Sequence, residues 1–90
     1  EPAADLPVVA AVASSLRNRP VAPDVVVFGE VGLAGEVRST SQAGLRVREA
    51  VQLGFKRCVM PEGNLAPGDI PTELAITGVR SVSEALDALL

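Results

Sequence analysis

The spacing of apolar residues predicts helices at the start and in the middle of the chain. From Asp5 to Arg17 apolar side chains recur every three or four positions, which is the period of a helix with one buried face. Asp5 is expected to cap the start of this helix. A second helix is predicted for residues 41–53, with Gly54 as its C-cap.

The end of the chain carries a local signal for a third helix. Residues 81–84 have the sequence Ser-Val-Ser-Glu, which fits a capping box. In such a box the side chains of Ser81 and Glu84 each accept a hydrogen bond from the backbone N–H of the other residue. A helix is therefore expected to begin directly after Ser81.

Short β-branched and apolar runs between the helices predict about four strands. Residues 25–28, Val-Val-Val-Phe, are too few for a helix and indicate a strand covered on both faces. Glycines bound residues 32–35 and predict a turn that joins an antiparallel pair, with residues 36–39 as the returning strand. Residues 55–60 and 73–79 are the other candidates. The order of elements predicts an α/β two-layer sandwich, formed as a single unit by all 90 residues.

Composition excludes several kinds of site. The chain has no histidine, which excludes histidine-based catalysis, and its one cysteine, Cys58, lies in an apolar run where a buried thiol is expected. No metal site is therefore predicted. A net charge of −3 disfavours attraction of nucleic acid to the whole surface. The absence of a long apolar run or signal peptide favours a cytoplasmic protein with no membrane partner.

A glycine-rich motif gives the most specific signal. Residues 29–37, Gly-Glu-Val-Gly-Leu-Ala-Gly-Glu-Val, resemble the signature Gly-Glu-(Ile/Val)-x-Leu-x-Gly-x-Val of the Lon proteolytic domain family. An apolar strand closing at Pro61, and then Asn64, follow in the order found in that family. Residues 1–5, Glu-Pro-Ala-Ala-Asp, and the run at 26–33 are more similar to the C-terminal Lon-like domain of the RadA (Sms) family of bacterial DNA-repair proteins.

The resemblance implies a fold and an incomplete domain. The expected fold is the later part of a Lon proteolytic-domain-like (ribosomal protein S5 domain 2-like) fold, without the strands that normally come first. Apolar surface on residues 25–28 or on the first helix is then expected to pack against another chain or against the absent strands.

The same resemblance implies that the domain is not an enzyme. The family's nucleophilic serine falls on Ala3 and its general-base lysine falls on Gly44, so both halves of the Ser–Lys pair are missing. A non-proteolytic module is therefore favoured. A Lon-family ATP-dependent serine peptidase domain is the alternative, and a small structural domain unrelated to repair is a third possibility.

Similarity to the RadA family also implies partners. The domain is expected to support a ring, hexameric in the full-length protein, and to engage DNA during recombination and branch migration. ATP and zinc are implied only for upstream domains that these residues do not include, so no cofactor is expected here. Binding of DNA by the domain alone is expected to be weak. The candidate phosphate-contacting residues are the basic ones in the middle of the chain: Arg38, Arg46, Arg48, Lys56 and Arg57. Ordinary solvated charge, balanced by neighbouring glutamates, is the other interpretation of these five residues.

Overall fold

The computed structural model describes residues 4–65 and 74–90. Within these ranges the chain forms three α-helices and five β-strands. In chain order they are α1 (Asp5–Arg17), β1 (Val25–Val27), β2 (Glu30–Val31), β3 (Val37–Arg38), α2 (Ala43–Gln52), β4 (Arg57–Pro61), β5 (Ala75–Val79) and α3 (Val82–Leu89). The α/β fold class predicted from the sequence is confirmed. Residue 73, predicted to begin the last strand, lies outside the described residues.

Three of the strands form a parallel sheet in the order β1-β4-β5. The central strand β4 pairs with β1, placing Arg57 opposite Val25, and with β5, placing Cys58 opposite Ile76. Strands β2 and β3 form a separate antiparallel pair. The predicted turn at residues 32–35 joins this pair, as expected.

The strand before that turn is not a continuation of β1. The chain leaves the sheet after Val27 and passes through Gly29, which is packed between α1 and β3. A Cβ on Gly29 would lie 3.1 Å from Val37 Cγ1 and 3.2 Å from Leu6 Cδ2. The Leu6 N–H also donates to the Gly29 carbonyl oxygen at 3.0 Å. This close approach of α1 separates β1 from β2 and gives a fifth strand where about four were predicted.

Helices cover both faces of the parallel sheet. Side chains alternate along β4, so Val59 faces one side while Cys58 and Met60 face the other. On the first side α1 and α3 close a core that contains Leu6 and Ala85. The members of that core are Leu6, Ala10, Val25, Val59, Val79, Ala85 and Leu89. On the second side α2 closes a core made of Phe28, Val47, Ala50, Cys58, Met60 and Leu74. The prediction of two layers is corrected to three, because β4 is apolar on both sides.

The start of α1 differs from its prediction. Its N-cap is Ala4, which provides no capping side chain. Asp5 instead lies within the first turn, and its Oδ2 accepts a hydrogen bond from the Val31 N–H at 3.3 Å. The carboxylate thereby ties α1 to β2 and does not cap its own helix.

The capping box of α3 is half confirmed. Ser81 Oγ accepts a hydrogen bond from the Glu84 N–H at 3.1 Å, as predicted. The Glu84 carboxylate, however, accepts from the Arg80 N–H at 2.8 Å and not from the Ser81 N–H. The bond to the glutamate thus comes from the residue before the N-cap, and Ser81 itself lies opposite Glu36 of the hairpin in an antiparallel bridge.

Candidate nucleic-acid interface

Gly44, which the resemblance to the Lon family is expected to match to the general base, lies at the start of α2. Gly44 is the second residue of this helix, whose N-cap, Gln42, has a left-handed backbone with φ of 59°. A Cβ on Gly44 would lie 3.6 Å from Arg48 Nη1, so the guanidinium of Arg48 reaches back along the helix toward this position. Ala3, which the same resemblance is expected to match to the nucleophilic serine, lies outside the described residues.

The only lysine in the sequence is far from Gly44. Lys56 comes four residues after the end of α2 at Gln52. Because α2 has ten residues, its two ends are about 15 Å apart. Lys56 is therefore at the opposite end of the helix and does not replace the missing lysine side chain.

Arg38 belongs to a hairpin whose charges are already paired. Its Nη2 lies 3.0 Å from Glu36 Oε2, and Glu36 Oε1 accepts the Ala34 N–H at 3.0 Å. Hydrogen bonds from its own backbone N–H, from Arg38 and from the Ala34 N–H hold the pKa of Glu36 below its usual value. The carboxylate folds over Gly32, where a Cβ would collide with it. Arg38 is thus a structural partner of Glu36 in this hairpin.

The hairpin is fastened to the start of α3 by backbone hydrogen bonds. The Val37 N–H donates to the Arg80 carbonyl oxygen at 2.8 Å, and the Val82 N–H donates to that of Gly35 at 2.9 Å. Leu33, at the tip of the turn, is fully exposed. The hairpin and α3 therefore form one surface at the C-terminal end of the parallel strands.

Arg46 and Arg48 lie on α2 and have different environments. The guanidinium carbon of Arg46 is 6.0 Å from the centre of the Phe28 ring, within the range of a cation–π contact. Its side chain is half-buried and lines a shallow groove between α2 and β1 together with Glu49 and Phe55. Arg48 is exposed. Of this pair, Arg48 is the one with a solvent-facing charge.

Lys56 and Arg57 lie at the N-terminal end of the sheet. The N–H groups of both residues donate to the Asp24 carbonyl oxygen, at 2.9 and 3.2 Å. Arg57 Nη2 is also 3.5 Å from Asp24 Oδ1. The structure therefore divides the five candidates among three places: the hairpin, the surface of α2 and the opposite end of the domain. Because α1 starts beside the C-terminal end of β1 and runs back along the strand, its last residues, followed by Arg19, point to the end of the sheet where Lys56 lies, an arrangement that the spacing of basic residues in the sequence did not reveal.

The outer face of α1 carries the exposed apolar surface expected from the sequence. Val8, Val12 and Leu16 follow one another at intervals of four residues and are 60%, 55% and 83% exposed. On a helix these positions form one stripe, which faces away from the sheet. Among the described residues, no group of three histidine, cysteine, aspartate or glutamate side chains is placed to hold a metal ion. No described helix is long and apolar enough to span a membrane.

A family model described as subunit ChlI of Mg-chelatase matches residues 2–64. The chain belongs to this ChlI family. It is also 52% identical over 89 residues to the DNA repair protein RadA of Pseudomonas aeruginosa, covering 99% of this chain and 19% of that protein. Identity to the DNA repair protein RadA of Halalkalibacterium halodurans is 47% over 90 residues, covering 100% of this chain and 20% of that protein.

A third relative, the DNA repair protein RadA of Escherichia coli, is 46% identical over 86 residues, which are 96% of this chain and 18% of that protein. This chain therefore spans about one fifth of the length of the curated relatives that it matches. These relatives confirm the similarity to RadA proteins that the motifs indicated.

Proposed function

We propose that this chain is a non-proteolytic, Lon-like domain of a RadA-type DNA-repair ATPase. In this role it supports a ring, hexameric in the full-length protein, and helps to engage DNA during recombination and branch migration. The observation that carries the proposal is the identity of 46–52% to proteins named DNA repair protein RadA, which extends over almost the whole chain. ATP and zinc belong, in this proposal, to parts of the protein outside these residues.

The lack of a lysine at position 44 supports a non-proteolytic role. Gly44 has no side chain, and the sole lysine lies beyond the other end of α2. A serine nucleophile needs an adjacent base to remove its proton. A Lon-family serine peptidase domain, the alternative function, is disfavoured for this reason.

Peptidase activity is tested with fluorescent casein and the purified full-length protein. No turnover above the rate without protein is expected, with or without ATP. A Lon protease serves as the positive control for the substrate. Cleavage that disappears when one of the remaining serines is replaced by alanine would contradict the proposal and favour the alternative.

The exposed stripe on α1 supports a role in assembly. A helix that is apolar on both its inner and outer faces normally has neighbours on both sides. Monomeric proteins rarely leave large continuous apolar patches in water. We infer that Val8, Val12 and Leu16 pack against another subunit or against a further part of the same protein.

The assembly role is tested by making this stripe polar in the full-length protein. The double variant Val12→Ser/Leu16→Ser should reduce the ring fraction in analytical ultracentrifugation and slow the migration of a synthetic DNA joint. The control is Leu45→Ser/Leu53→Ser, which changes two exposed leucines, one on α2 and one at its C-cap. If the α1 variant forms rings and migrates joints like the unchanged protein, the domain has no assembly role through this face.

A further inference from the structure

The two loops that lead into β1 and β4 lie at one end of the domain. The bond from the Leu6 N–H to the Gly29 carbonyl places the start of α1 beside the C-terminal end of β1. With 13 residues, α1 is about 20 Å long and runs back past the other end of the strand. Arg17 and Arg19 therefore lie close to the loop that enters β1 at Val25.

The chain entering β4 reaches the same end. Helix α2 closes with the Phe55 N–H bonded to the Ala50 carbonyl oxygen at 3.1 Å. The next two residues, Lys56 and Arg57, are held against Asp24 by backbone hydrogen bonds, beside the start of β1. In a parallel sheet the N-terminal ends of neighbouring strands are at the same edge. The topology thus gathers four cations that occupy two distant parts of the sequence: Arg17, Arg19, Lys56 and Arg57, here called the basic end.

The basic end is short of counter-charge. Among the residues that the structure describes, Arg17, Arg19 and Lys56 form no ion pair, and Arg57 has only the 3.5 Å contact with Asp24. At the opposite end of the sheet, Arg38 is paired with Glu36 at 3.0 Å and Arg80 with Glu62 at 3.1 Å.

Four cations and one aspartate give the basic end a net charge of +3. In the part of the chain that the structure describes, the other charged residues are four arginines and seven carboxylates, which together carry −3. Among the described residues, the positive charge is therefore concentrated at one end.

Helix stabilisation explains only part of this concentration. A cation in the last turn of a helix interacts favourably with the helix dipole, which accounts for Arg17 at the end of α1. Arg19, Lys56 and Arg57 lie outside the helices. Of these three, Arg57 has the contact with Asp24, whereas the exposed Arg19 and Lys56 have neither a helix end nor an ion pair among the described residues to account for them.

We propose that the basic end is the surface through which this domain contacts DNA phosphates. The inference rests on the proposed function and assigns its DNA contact to residues different from Arg38, Arg46 and Arg48. DNA is the favoured polyanion because the relatives are DNA repair proteins. If each of the four cations contacts one phosphate, they contribute about −3.6 to the slope of log K against log salt concentration.

The experiment compares double variants of the full-length protein in their affinity for fluorescein-labelled duplex DNA. Fluorescence anisotropy is measured at several salt concentrations. The variants Arg17→Gln/Arg19→Gln and Lys56→Gln/Arg57→Gln each remove two charges from the basic end. The control, Arg38→Gln/Arg48→Gln, removes the same charge from the hairpin and α2. Circular dichroism and ring assembly are checked for each protein.

Each basic-end variant should bind more weakly and reduce the magnitude of the salt slope by about 1.8, or 0.9 for each lost contact. The control should keep the slope of the unchanged protein. The two basic-end variants change separate segments, so a folding defect in one leaves the other informative.

The other outcomes overturn the inference in distinguishable ways. Loss of affinity in the control alone would place the contact on the hairpin or α2, and the proposed function would stand. Unchanged DNA binding with impaired ring assembly would show that the basic end binds an acidic protein surface. If the unchanged full-length protein bound no DNA, the DNA-engaging part of the proposed function would fail together with this inference.

Discussion

Replacing Leu6 by alanine tests how α1 is held on the sheet. Leu6 is 0% exposed and lies in the core that α1 and α3 form over Val25 and Val59. Its Cδ2 also packs against Gly29, where the chain leaves β1. Truncation to alanine removes three carbon atoms, Cγ and the two Cδ methyls, at a site whose neighbours belong to several elements and cannot all move inward.

The expected cost follows from comparable core truncations. Replacing a buried leucine by alanine costs about 2–5 kcal/mol, and complete burial of Leu6 favours a value of at least about 3 kcal/mol. A domain of 90 residues is stable by only about 5–13 kcal/mol. At about 4–8 °C for each kcal/mol, the midpoint of thermal unfolding should fall by about 12–24 °C.

The assay is urea unfolding of the 90-residue domain, followed by far-ultraviolet circular dichroism. The matched control is Leu16→Ala on the same helix, where the side chain is 83% exposed. This control should change the free energy of unfolding by no more than about 0.5 kcal/mol. Equal unfolding midpoints for the two variants would refute the packing of α1 described above.

Three further perturbations address the cap, the buried thiol and the glycines. Ser81→Ala should lower the free energy of unfolding by about 1 kcal/mol in urea titrations, because it removes the side chain that caps α3. The control is Ser83→Ala, which changes a serine that does not cap the helix and should leave the free energy of unfolding unchanged. Equal losses in the two variants would contradict the role of the cap. Burial raises the pKa of the Cys58 thiol to about 11, so the native protein should resist labelling by a thiol reagent at pH 8. The contribution of the protonated thiol to the free energy of unfolding should be fully present below pH 9.0, the ordinary pKa, and should be lost as the pH rises toward 11. Rapid labelling of the native state would contradict both expectations. Gly44→Ala should stabilise α2 by about 0.5–1 kcal/mol, since the added Cβ meets only Arg48. Gly32→Ala should destabilise the hairpin, because its Cβ would collide with the Glu36 carboxylate. A higher thermal unfolding midpoint for Gly32→Ala than for Gly44→Ala would count against the described contacts.

Local signals in the sequence predicted most of the elements. The bounds of α1 were predicted correctly because its apolar period is uninterrupted from Leu6 to Leu16. The cap at Ser81 was also correct, since it depends on residues that are adjacent in the chain. The expectation that residues 25–28 are covered on both faces agrees with the structure, in which Val25 and Phe28 belong to different cores, but it was not used when two layers were predicted. The separation of β2 from β1 was missed because it depends on Leu6, more than 20 residues earlier in the sequence.

The candidate interface was less predictable, because proximity in sequence was taken as proximity in space. Arg48 and Lys56 are eight residues apart, but Arg48 lies on the surface of α2, whereas Lys56 follows the end of the helix and lies beside Asp24 at the start of β1. Arg19 and Lys56 are much further apart in sequence, yet both precede strands of one parallel sheet. Recognising that both strands run in the same direction is the step that would have brought these cations together.

The attachment of the β2–β3 hairpin to the start of α3 has a consequence for the motions of the domain. Hydrogen bonds run in both directions, from Val37 to Arg80 and from Val82 to Gly35. Opening either segment breaks bonds that the other also needs, so the two should open and close together as one cooperative unit. In a hydrogen-exchange experiment, the N–H groups of Val37 and Val82, more than 40 positions apart, should then show the same opening free energy. The exposed Leu33 at the hairpin tip is in this way held in place by α3.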